Sequence, residues 1–339
     1  MLLSGVVIHS ISEDAMNRSS NDPRRQTRSA DGVNISRREM LKASLAVAST
    51  TIVPHSVLAQ AAGDLLTKVV PSTGVRLPII GIGTNRFRTG DPAWTARLRD
   101  TLSAFSSLGG KVIDTAPSYG DSEQAIGTLL ADTGLRERVF LATKLDRDSI
   151  ADGRQRLAAS FAALGTRRLD LVQLHNLRGA ESLLPLLREQ QAAGAICHIG
   201  ITSSNDSQYA EMEAIMRRER LDFIQVDYAV GNRSAGERIL PLAADRGMAV
   251  LANLPFGRGA QFRAVSGRRL PGWADDIDCQ TWAQVFLKYV VAHPAVTCAV
   301  PGSTQVAHVE DNLGAARGRL PDARMRQTIA SYFDAIVDG

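Results

Sequence analysis

Cysteine is scarce in this chain, with three among 339 residues. Three cannot build a disulfide scaffold, and Cys197, Cys279 and Cys298 lack the paired spacing of a zinc site. Long apolar runs are missing as well. The most extended mildly apolar stretch, Ala43 to Leu58, is broken by Thr50, Thr51, Pro54 and His55. It falls short of the about 20 apolar residues that a spanning helix needs, so no stable membrane span is expected. Neither sign of charge dominates: 39 basic residues face 35 acidic ones, a net of +4 with no basic run. Nucleic acid is therefore not an expected partner. Repeats of collagen or coiled-coil type are absent, and so is a His/Cys/Asp/Glu constellation that would hold a metal. Gly81-Ile82-Gly83-Thr84 lacks the third glycine of a dinucleotide-binding loop, which weakens the case for a doubly wound sheet.

What is present is an ordinary globular composition, 44% hydrophobic and 22% charged. The N-terminal part stands apart. Residues 1–35 are polar and show no amphipathic period. Ser36-Arg37-Arg38-Glu39-Met40-Leu41-Lys42 then precedes the modest apolar stretch and the small residues around Val57-Leu58-Ala59. That order is the order of a secretory signal, and the paired arginines resemble the twin-arginine export signal of bacteria. The resemblance implies a disordered N-terminus and signal peptide over residues 1–59, a folded domain over 60–339, and the twin-arginine export machinery as a partner. It also implies a periplasmic location. The alternative is a cytoplasmic protein with a disordered basic tail.

From Thr67 onward, β-rich runs alternate with helical patterns. Val69 to Val75 reads as a hairpin turning at Ser72-Thr73-Gly74. Eight strands follow, at Ile79–Gly83, Lys111–Asp114, Val139–Lys144, Leu171–His175, Ile196–Thr202, Phe223–Asp227, Ala249–Ala252 and Val296–Val300. Most are continuous apolar runs, as expected of parallel strands buried on both faces. Between them, Trp94, Leu98, Leu102 and Phe105 recur at helical spacing, as do Trp282, Val285, Phe286, Tyr289 and Val290. Gly109, Gly134, Gly165, Gly194 and Gly247 fall where helices should end. The pattern predicts an α/β fold: a (β/α)8 TIM barrel with an N-terminal β-hairpin.

Barrel enzymes place their chemistry at the C-terminal ends of strands. Here Asp114, Lys144 and His175 close the second, third and fourth strands, about one βα unit apart. Tyr119 lies in the loop leaving the second. Each has a bland reading, as a helix cap, a rim charge, a core histidine or a packing aromatic. Four polar groups at consecutive strand ends are hard to explain that way.

At these residues the sequence resembles the aldo-keto reductase family. Val112-Ile113-Asp114-Thr115-Ala116-Pro117-Ser118-Tyr119-Gly120-Asp121-Ser122-Glu123 resembles the family's most specific signature. Leu141-Ala142-Thr143-Lys144 and Asp170-Leu171-Val172-Gln173-Leu174-His175 resemble its lysine and histidine strands. The likeness runs from the hairpin to Asn312. It implies an enzyme reducing aldehydes or ketones by hydride transfer from a nicotinamide cofactor, with a catalytic tetrad of Asp114, Tyr119, Lys144 and His175. Tyr119 would donate the proton, and the Lys144 ammonium would lower the phenol's pKa. Asp114 would hold the lysine, and His175 would hydrogen-bond the substrate oxygen. The competing reading is a non-catalytic, cofactor-binding barrel like the channel-associated members.

The same resemblance implies cofactor contacts at Gly83, Thr84, Asn85, Thr202, Ser203, Gln225, Pro255, Gly257, Ser303, His308, Asp311 and Asn312. NADP is the implied cofactor, with NAD possible. The family's basic residues for the adenosine 2′-phosphate are replaced by Gly302 and His308, which predicts a weakened preference for NADP. Asn253 stands where the family often stacks an aromatic under the nicotinamide, and Thr202-Ser203 replaces its Ser-Asn pair. Arg258 to Asp275 is the longest candidate lid. Of the cysteines, Cys197 and Cys298 are expected in buried strands and Cys279 at a more exposed helix start.

Overall fold

The computed structural model describes Asp64–Asp338. The arginine pair and the division after Ala59 lie outside these residues.

A short hairpin comes first, β1 (Thr67–Val69) pairing antiparallel with β2 (Arg76–Pro78). Its turn contains Gly74 at φ +75°, a conformation that costs a glycine little. Eight parallel strands follow: β3 (Ile82–Gly83), β4 (Val112–Asp114), β5 (Phe140–Leu145), β6 (Leu169–His175), β7 (Ile196–Ser203), β8 (Phe223–Asp227), β9 (Ala249–Asn253) and β10 (Cys298–Ala299). They pair in sequence order from β3 to β10. The ring closes where Ile80 bridges Ala299 and Gly83 bridges Gly302, both in parallel. The fold is the (β/α)8 barrel that the apolar runs imply.

Helices separate the strands: α1 (Pro92–Ser107), α2 (Ser122–Thr133), α3 (Ile150–Ala163), α4 (Ala180–Ala192), α5 (Tyr209–Arg218), α6 (Ile239–Asp245), the short α7 (Ala260–Ala264), α8 (Trp282–Val291), α9 (Val306–Gly314) and α10 (Ala323–Val337). Several starts are fixed by side-chain caps. Asp91 accepts from the backbone N–H groups of Ala93 and Trp94 ahead of Pro92, and Thr281 accepts from Gln284 N. The five glycines expected at helix ends all have positive φ.

Two apolar layers result. The outer one lies between strands and helices and includes Leu98, Leu102 and Phe105 from α1 and Val285, Phe286 and Val290 from α8. The inner one fills the barrel with Val112, Phe140, Ala142, Leu171, Phe223, Ala249, Leu251, Cys298 and Val300, joined by Val70 and Leu77 of the hairpin. The hairpin thus plugs the end where the strands begin. Lys68 pins it there, donating to the carbonyls of Val291, His293 and Val296 at 2.6–2.9 Å. With one end stoppered, the open mouth is at the strand C-termini.

The candidate lid is not a bare loop. It contains α7 and the start of a 3₁₀ turn over Gly272–Ile277, and Trp273 packs edge-on against Tyr332 of α10. Cys279 departs from expectation: it is buried under this turn, and burial pushes its thiol up to about 12.

Candidate active site

Asp114 pairs in register with Ala142. Two residues further along β5, on the same inward face, stands Lys144. Its Nζ donates to Asp114 Oδ1, Asp114 Oδ2 and the Thr115 carbonyl, each at 2.9 Å. Asp114 and Lys144 are 4% and 2% exposed, so this ion pair is sealed from bulk water. The loop after β4 folds back in a tight turn, Tyr119 N donating to Ala116 O, which brings the phenol ring over the ammonium. Lys144 Nζ lies 5.1 Å from the centre of the Tyr119 ring. His175, last residue of β6, meets the same ring edge-on with centroids 6.0 Å apart. The structure therefore brings all four strand-end residues together at the open mouth.

The neighbouring loop is stitched to this group. Thr84 donates to the Asp114 carbonyl through both its N–H and its hydroxyl, and Ser122 Oγ donates to Thr84 O. Asp121 accepts from the backbone and hydroxyl of Thr89. These bonds fix the turn that carries Tyr119.

Burial alone would depress the Lys144 ammonium, but Asp114 and then Tyr119 oppose it, and the net direction is upward. The lysine is therefore charged at neutral pH. For Tyr119, burial raises the phenol and outweighs the downward pull of Lys144 and of Arg258. This corrects the expectation of a net lowered phenol: the ammonium acts in the expected direction but loses to desolvation. Burial, then the Lys144 charge, lowers His175 to about 4, so the imidazole is neutral at pH 7.

A cavity of about 370 Å³ opens beside Tyr119. Of the expected cofactor contacts, Gly83, Thr84, Asn85, Pro255 and Ser303 line it. Gln225 sits fully buried within the barrel; its Oε1 accepts from Gln173 Nε2 at 3.5 Å. Gln225 Nε2, Gln173 Oε1 and Asn253 Oδ1 are buried without partners. Such orphaned groups are costly unless a ligand satisfies them; of the three residues Asn253 lines the cavity, where an amide-bearing nicotinamide would fit that need.

Two other expected contacts, Ser203 and Asp311, are engaged with nearby groups. The Ser203 hydroxyl donates to Gln208 Oε1 and accepts from the Asn205 N–H, holding the turn after β7. Asp311 accepts from Thr281 Oγ1 and Gln284 Nε2, tying α9 to α8. His308 is exposed on α9, whereas Asn312 and Thr202 are buried. Gly257 takes φ +53° in the turn ahead of α7.

Sequence reasoning missed four residues here. Gln173 lies two positions before His175 on one strand, so the period-2 alternation that makes His175 face inward carried a readable signal. Arg258 lines the cavity at φ +52° and has no hydrogen-bond or ion-pair partner among the described residues. It brings a guanidinium to the mouth from the loop after β9 rather than from α9. Burial lifts the Asp227 carboxyl to about 6 against a hydrogen bond from Asn232. Ser118 reaches His175. An aromatic wall is supplied by Phe256, whose ring packs on Phe262 at 4.8 Å.

A sequence profile described as the Aldo/keto reductase family matches residues 79–331. The chain belongs to this family. Among its relatives is the methylglyoxal reductase YeaE of Escherichia coli, 28% identical over 78% of this chain and 95% of that protein. An NADH-specific methylglyoxal reductase of the same organism is 25% identical over 74% of this chain and 94% of its own length. Among solved structures, an aldo-keto reductase from Klebsiella pneumoniae in complex with NADPH superposes with a TM-score of 0.68. It is 24% identical, covers 80% of this chain and 96% of its own, and supports the aldo-keto reductase barrel as the fold.

Proposed function

We propose that this aldo/keto reductase reduces small aldehydes or ketones to alcohols at the mouth formed by Asp114, Tyr119, Lys144 and His175. The observation that carries the reading is the Lys144 ammonium, bound on one side by Asp114 and covered on the other by the Tyr119 ring. A reduced nicotinamide, when bound, supplies the hydride. Gly83, Thr84, Asn85, Pro255 and Ser303 would hold it, Gln225 and Asn253 would meet its carboxamide, and Arg258 would face its diphosphate.

The protein's own task is the proton. Tyr119 is an intact phenol at neutral pH, because burial raises its pKa from the ordinary tyrosine value. It is therefore a donor, not a base, in the resting site. As negative charge develops on the substrate oxygen, the phenol proton moves to that oxygen, and the adjacent ammonium stabilises the phenolate left behind. Asp114 keeps that ammonium charged and fixed. Neutral His175 contributes an N–H to the same oxygen. The test is loss of nicotinamide absorbance with NADPH or NADH and a panel of simple aldehydes. Methylglyoxal, named in two of the relatives, is the first to try. No turnover across the panel, with cofactor demonstrably bound, would refute the reading.

Residues 1–59 we read as an exported leader, on the strength of Ser36-Arg37-Arg38 and the apolar stretch after it. The barrel over 60–339 would then act in the periplasm, arriving folded with its cofactor. Fractionation with mass determination tests this, and an uncut chain confined to the cytosol would refute it.

A further inference from the structure

Ser118 sits at the rim of the mouth, one residue before Tyr119 and in the same turn. Its Oγ lies 3.2 Å from His175 Nδ1. That nitrogen is the hydroxyl's one hydrogen-bonding partner among the described residues. A neutral imidazole carries one donor nitrogen and one acceptor nitrogen, and the partner of one decides the role of the other. For His175 to hydrogen-bond a substrate carbonyl, Nε2 must keep its proton, which leaves Nδ1 as a lone pair in need of a donor. The Ser118 hydroxyl is placed to be that donor, and its proton has no competing acceptor among the described residues.

We propose that Ser118 is a positioning residue that holds His175 in its Nε2–H tautomer by donating to Nδ1, so that one turn sets both the proton donor and the oxyanion donor. The proposal rests on the carbonyl-reduction reading for its catalytic meaning. The adjacent Tyr119 ring, edge-on to His175, restrains the imidazole from a second side. Because His175 is neutral at pH 7 the choice between tautomers is open, and a hydrogen bond of ordinary strength biases it.

The experiment uses the full chain labelled with ¹⁵N-histidine, with long-range ¹H–¹⁵N spectra recorded at pH 7. The six histidines are distinguished by the resonance lost in His175→Asn. The wild type should show the Nε2–H pattern at His175, Ser118→Ala should gain the Nδ1–H form, and Ser118→Thr should keep the wild-type pattern. With a simple aldehyde, Ser118→Ala should lose about tenfold in kcat, the scale of one hydrogen bond, with NADPH affinity within about twofold. Ser118→Thr should restore most of that loss. An Nδ1–H tautomer in the wild type, or a His175 pattern unmoved by Ser118→Ala, would overturn the proposal. Equal kcat losses in the alanine and threonine variants would overturn it too. A tautomer shift in a chain that turns over no carbonyl would support the positioning role while refuting the reductase reading.

Discussion

Lys144 Nζ lies 2.9 Å from each carboxylate oxygen of Asp114, and the pair is closed off beneath the Tyr119 ring. A buried pair is costly to break from one side because a naked charge remains. Lys144→Met should lower stability by about 3–5 kcal/mol in urea unfolding, and Asp114→Asn added to it should recover much of that loss. Neither variant should reduce carbonyls. A single variant as stable as the wild type would show that the pair is not sealed as described.

Two histidines set the acid limit of stability. His175 and His293 are both lowered by burial from the usual 6.5 to about 4. Between these values the unfolded chain binds histidine protons that the folded chain refuses, so their contribution is full above about pH 6.5 and is lost as pH drops toward 4; the Asp227 carboxyl, raised to about 6, acts in the opposite sense over the same range and offsets part of that loss. Unfolding midpoints measured from pH 7 to 4 should decline in that window, with a shallower slope in His175→Asn. A slope left unchanged by His175→Asn would contradict the lowered His175 value.

Tyr119 should make the two reaction directions diverge with pH. Reduction needs the phenol, which burial keeps protonated past neutrality, so its rate should be level from pH 7 to about 9. Alcohol oxidation needs the phenolate and should climb over the same range. A reduction rate halved near pH 7 would mean that the ammonium, not burial, governs the phenol.

Cofactor preference should be modest. From Gly302 to Asn312 the chain carries no lysine or arginine, and His308 is exposed on α9. A hydrogen bond to a charged group is worth about 1.5–3 kcal/mol, so without the guanidinium grip NADPH should exceed NADH in affinity by less than about a hundredfold. Titration of both cofactors by tyrosine or tryptophan fluorescence checks this.

The barrel was legible because buried parallel strands are nearly pure apolar runs, and because the polar residues ending three of them recur at the length of one βα unit. That spacing marked Asp114, Lys144 and His175 as candidates, and the resemblance to the family supplied their roles. Ser118 did not, since a short hydroxyl in a turn belongs to no periodic pattern. Gln173 was hidden by the leucines and valine around it although its alternation with His175 was visible. Ser203 and Asp311 were assigned to the cofactor, yet the structure engages both with nearby side chains; their rotamers depend on tertiary neighbours that sequence does not display. Desolvation is likewise tertiary, which is why the direction of the Tyr119 shift and the burial of Cys279 escaped the sequence reading.

The most direct measurement is Tyr119→Phe, assayed for aldehyde reduction and, separately, for NADPH binding by fluorescence titration. Removing the one hydroxyl should cut kcat by about 10²–10⁴ while leaving the cofactor's Kd within about threefold of wild type. Reduction that survives at the wild-type rate would contradict the assignment of Tyr119 as proton donor, as would a loss of cofactor binding equal to the loss of turnover.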